Sequence, residues 1–73
     1  MLKGSRDAFL HKIQPISIHG QLSYDVHYKF ADDPEDQMRV ARIGAEALDQ
    51  GLQEGGRIRL DFLVGVVTGV HKA

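Results

Sequence analysis

His11, His19 and His27 recur every eight residues, and together with His71 they are the first place to look for metal or acid–base chemistry. A spacing of eight does not bring two side chains together on one strand, and neither HExxH nor an Asp/Glu–His cluster accompanies them. Histidines that lie on the surface or are satisfied by hydrogen bonds account for all four, so no metal site is expected. Asp25 stands two residues before His27 and could orient its imidazole, although such a pair on a strand face is more often solvated. For nucleophilic catalysis the chain offers Ser5, Ser17, Ser23 and Thr68, in no Ser–His–Asp setting and with no cysteine. GVVTGV and EGGR contain neither GxGxxG nor GK[ST], so no phosphate loop or cofactor is expected. These residues point away from an enzyme and towards a binding module.

Two groups of residues could serve binding. His19, His27, Lys29, Arg57 and Arg59 fall on the outward face of the expected sheet, opposed only by Asp25 and Asp61. Such a stripe can track phosphates. An isoelectric point near 6.4, inward aromatics and the lack of tryptophan weigh against nucleic acid, which is the second choice. The other group is in FLVGVV, where apolar side chains on both strand faces need more cover than one helix supplies. Leu63 and Val67 are the expected self-association residues of a two-fold homodimer. A protein-interaction or assembly role is thus the first reading.

The elements that must position these residues are set by hydrophobic period. In LSYDVHYKF, residues 22 to 30, Leu22, Tyr24, Val26, Tyr28 and Phe30 alternate strictly with Ser23, Asp25, His27 and Lys29. A period of two marks a half-buried strand, and it puts these aromatics in the core. IQPISIHG reads as a partner strand, with Gly20 available for a turn and Pro15 at a bulge or an edge. SRDAFLHKI before it allows a short helical turn or a continued strand.

ADDPEDQM carries helix-start signals. Asp33 suits the N-cap, Pro34 the first turn, and Glu35 and Asp36 the positive end of the dipole. On a helical wheel Met38, Val40, Ile43, Ala47 and Leu48 fall opposite Arg39, Arg42, Glu46 and Asp49. That spacing predicts one amphipathic helix over roughly 34–53, ended by Gly55-Gly56. RIRLDF then alternates, and the chain turns or bends near Val64-Gly65. The expected fold is α+β, a single domain over 1–73: ββαββ, with an antiparallel sheet packed on one helix.

The alternative makes QMRVARI a strand and AEALDQGL a short helix. That order, three strands, a helix and a hairpin, resembles the five-stranded OB-type small barrel, and GLQEGGRIRL looks like the lead into a barrel strand. The resemblance spans about ten residues, concerns fold alone and implies no ligand.

Composition bounds the rest. The 73 residues are 42% hydrophobic and 26% charged. A chain this short buries only about 60% of its unfolded surface, so its stability margin is thin. Charge divides along it: net +2 over residues 1–30, −5 over 31–54 and +2 over 55–73. The start shows no apolar signal core and no residue-2 glycine, and no run is long enough to span a bilayer. A cytoplasmic location and no membrane partner are the corresponding expectations.

Overall fold

β2 (Gln21–Phe30) forms as its alternation dictates, with Val26, Tyr28 and Phe30 buried and Asp25, His27 and Lys29 on the opposite face. The computed structural model describes residues 3–73; the first two residues, on which the reading of the chain's start partly rests, lie outside them. β1 (Lys3–Ile18) runs through the stretch left open above, so SRDAFLHKI is strand. Its first half pairs with β4 (Arg57–Leu63) and its second with β2, both antiparallel. The parity of β1 changes at a bulge between Leu10 and Lys12, not at Pro15. Ala8 and Leu10 are buried before it, whereas Phe9 points outward and is 45% exposed. Pro15 pairs with Tyr24 beyond the reach of β4, where β1 has no strand on its other side.

The expected helix does not form, and with it falls the ββαββ arrangement. Arg39–Gly44 is strand β3, paired antiparallel with Ser23–Tyr28 of β2, and the only helical segment among the described residues is a 3-10 turn, Ala45–Ala47. Asp33 does cap, but it caps a turn: its carboxylate accepts the amides of Glu35 and Gln37 at 2.9 and 3.2 Å. Asp36 then takes φ 53, a left-handed conformation that stops helical propagation. Gly51, inside the expected helix of residues 34–53, has φ 81 and could not sit within a helix. Residues 41–51 of the expected helix include Ala41, Gly44, Ala45, Ala47 and Gly51, which bury little area. β-branched Ile43 is buried once the segment completes the ladder along β2, and Val40 suits the pleated backbone while staying exposed.

β4 and β5 (Val66–Lys72) make a hairpin through Val64-Gly65, both with positive φ. A register shift between Asp61 and Phe62 changes the parity of the pair, so that Phe62 packs with Val67 and Leu60 with Val70 against one core. The sheet order is β3-β2-β1-β4-β5, antiparallel throughout. Element order is that of the alternative reading, but the barrel is not closed. Its outer strands β3 and β5 run parallel and approach each other without a ladder between them. They are tied at one end only, where Leu48 bridges Val70 and the Asp49 amide donates to the Val70 carbonyl at 3.0 Å. Ala8, Leu10, Val26, Tyr28, Phe30, Ile43, Ile58, Leu60 and Val70 form the core inside the curled sheet.

Candidate binding groove

Where the two outer strands diverge, a groove of about 560 Å³ opens between Val40–Arg42 of β3 and Gly65–Val67 at the start of β5. Its apolar lining comes from the inward ends of two strands, Tyr28 and Phe30 of β2 and Phe62 of β4. The Tyr28 and Phe30 rings meet edge to face at 5.3 Å, and Phe62 lies 5.9 Å from Phe30. Two cations close over this cluster. The Arg6 guanidinium carbon stands 3.7 Å from the Phe30 centroid, and that of Arg39 stands 5.3 Å from it. Arg6 shares its parity with buried Ala8 and Leu10, so β1 delivers it to the open end of the core.

Charges here are unevenly offset. Arg6 bonds Asp32 at 2.9 Å, and Arg42 holds Asp25 through two nitrogens at 2.8 and 3.3 Å. The Arg42 hydrogen bond is also what keeps the Asp25 carboxyl below the usual carboxylate range. Arg39 has no ion-pair partner among the described residues. Tyr28 is only 5% exposed, and its hydroxyl bonds no other described side chain. Burial pushes that hydroxyl upward in pKa, while Arg39 and Arg6 pull the other way.

The tied end of the seam has its own polar cluster. His71 reaches Asp49 from Nδ1 at 3.2 Å and Asp61 from Nε2 at 2.7 Å. These bonds, Asp49's first and Asp61's next, raise the imidazole pKa. Asp49 also accepts the Lys72 amide at 3.1 Å, which with His71 lowers its own pKa.

Of the residues singled out by sequence, Lys29, Arg57 and Arg59 come together on the outer face of β2, β1 and β4, and His19 lies apart from them. His19 occupies the β1–β2 turn at φ 50. Lys29 bonds Asp36 at 2.9 Å, and Arg57 and Arg59 both pair with Asp7 of β1 at 3.2 Å. His27 Nε2 is buried with no hydrogen-bond partner among the described residues. Leu63 is exposed near the hairpin tip, whereas Val67 packs against the core and lines the groove. Sequence reasoning missed Arg6 and Arg39 altogether. It also missed Phe9, which the register sets between Lys29 and Arg57 on the outer face. Alternation within a strand carries no record of which strand lies alongside. Among the described residues no helix is long and apolar enough to cross a membrane, and no group of three His, Asp or Glu side chains is disposed to hold a metal ion. The chain matches no family model, no curated protein and no solved structure at a significant level.

Proposed function

We propose that this chain is a non-enzymatic binding module that takes an extended segment of a partner protein along the seam between β3 and β5. One observation carries the reading: both outer strands present unpaired edges to a groove, and they are tied together at one end only. An unpaired edge offers a row of backbone donors and acceptors to an incoming strand. Val40 and Val66, 54% and 64% exposed, flank the groove and give that strand apolar cover. The expected homodimer is a special case, in which the segment is the β5 edge of a second copy. Panning a display library of random peptides on the protein tests the reading. Enriched peptides should lose binding to Val40→Lys and Val66→Lys, since an exposed lysine blunts a strand edge without touching the core. No enrichment over a folded control would count against it.

Nucleic acid is the second reading, favoured by Phe9. This aromatic is exposed between Lys29 and Arg57, whose guanidinium carbon is 5.8 Å from its ring. The pairing of Lys29 with Asp36 and of Arg57 with Asp7 offsets much of that charge. Salt-sensitive binding of a single-stranded oligonucleotide, lost in Phe9→Ala and Arg57→Glu, would reverse the order of the two readings.

A further inference from the structure

We infer that the seam groove selects an extended segment bearing an acidic side chain, whose carboxylate is received by Arg39, Arg6 and the Tyr28 hydroxyl. This rests on the strand-capture reading above and adds the chemistry of the strand captured.

Arg6, Arg39 and Tyr28 line one groove and share no acceptor among the described residues. Arg6 and Arg39 both stand over Phe30, at 3.7 and 5.3 Å from its centroid, so two like charges share one aromatic ring. Asp32 pairs directly with Arg6, whereas Arg39 forms no ion pair among the described residues and feels only the more distant Asp33 carboxylate. An anion between them relieves that repulsion. Tyr28 is 5% exposed, lines the same groove, and donates its hydroxyl to no described residue. The hydroxyl is not sealed off from the groove, so it is free to donate to a carboxylate arriving there. Guanidiniums held by a ring face keep their donors in fixed directions, which suits the two oxygens of a carboxylate.

The register of a strand says which of its side chains arrives there. On β3 the alternate positions Arg39, Ala41 and Ile43 face the core side, while Val40 and Arg42 face out. A segment added to β3 alternates likewise. One glutamate pointing inward meets Arg39, and apolar neighbours pointing outward lie along Val40. Phosphate is the competing anion, but a nucleic-acid strand gains little here. The Phe30 face on which a base would stack is already covered by Arg6.

The probes are blocked hexapeptides of alternating threonine and valine with glutamate, glutamine or lysine at one central position, and an oligothymidine. Binding is read by amide chemical-shift titration of the labelled protein at low salt. The glutamate peptide should bind about tenfold more tightly than the glutamine peptide, the order expected of a hydrogen bond to a charged group. The lysine peptide should bind least. Arg39→Gln should make the glutamate and glutamine peptides equal, and Tyr28→Phe should narrow their ratio with the fold intact. Equal binding of the two peptides to the wild type would overturn the acidic preference while leaving strand capture standing. Binding of none of the three would remove strand capture itself, and the preference with it. An oligothymidine that displaces the glutamate peptide at equal concentration would reassign the site to phosphate.

Discussion

His71 is the residue on which the tied end of the seam turns, since its two ring nitrogens face Asp49 and Asp61 and the Lys72 amide completes the set. Its folded pKa is raised above the unfolded value, so its contribution is fully present below about pH 6.5 and is lost as pH rises through the folded pKa. Asp49 is shifted the other way, so its contribution is present above about pH 4 and is lost as pH falls further. The clasp is therefore strongest between those limits. Thermal melts of the wild type should drop from pH 6 to pH 8, and His71→Gln should flatten that drop. A variant with the wild-type slope would show that the cluster does not hold the seam. Gly69 belongs to the same cluster, because a Cβ there would come within 3.0 Å of His71 Nε2 and 3.3 Å of Asp61 Oδ2. Gly69→Ala should therefore weaken the clasp, seen as a lower melting temperature at pH 6 and a smaller loss on going to pH 8.

Among the elements, the β4–β5 hairpin carries a conflict that can be measured. Val64 sits at φ 51 in a two-residue turn followed by Gly65 at φ 77, the geometry that asparagine–glycine pairs favour. A β-branched residue with positive φ costs about 1–2 kcal/mol. Val64→Asn should stabilise the fold by about 1 kcal/mol in urea unfolding; a loss of stability would place the strain elsewhere. The other hairpin was legible from Gly20, and β2 from its alternation, because both signals are local. β3 was not. Its residues satisfy a helical wheel but alternate poorly as a strand, with Arg39 on the core side and Val40 exposed. What decides between them is the open edge of β2, which no window over residues 34–53 contains. The same holds for the groove. Tyr28 and Phe30 were correctly given to the core, yet their meeting with Arg6 and Arg39 follows from the register of three strands.

At the scale of the fold, nine buried side chains among the described residues carry the core, and one long strand, β1, joins the two halves of the sheet. Leu60, fully buried at the middle of β4, should cost about 2–5 kcal/mol as Leu60→Ala, enough to threaten folding in a chain of this size. The outer strands are the least secured part, since each has a ladder on one side only and, among the described residues, they are tied at one end, by Leu48 and Asp49 to Val70, His71 and Lys72. Open edges exchange their amide hydrogens faster than paired interior strands. Residue-resolved hydrogen exchange, with and without a peptide enriched by panning, tests strand capture most directly. In the free protein the unpaired-side amides within 39–42 and 66–68 should exchange fast beside those of β1 and β4, and the peptide should slow them selectively. Protection of those amides in the free protein, or peptide protection appearing instead around Phe9, Lys29 and Arg57, would contradict it.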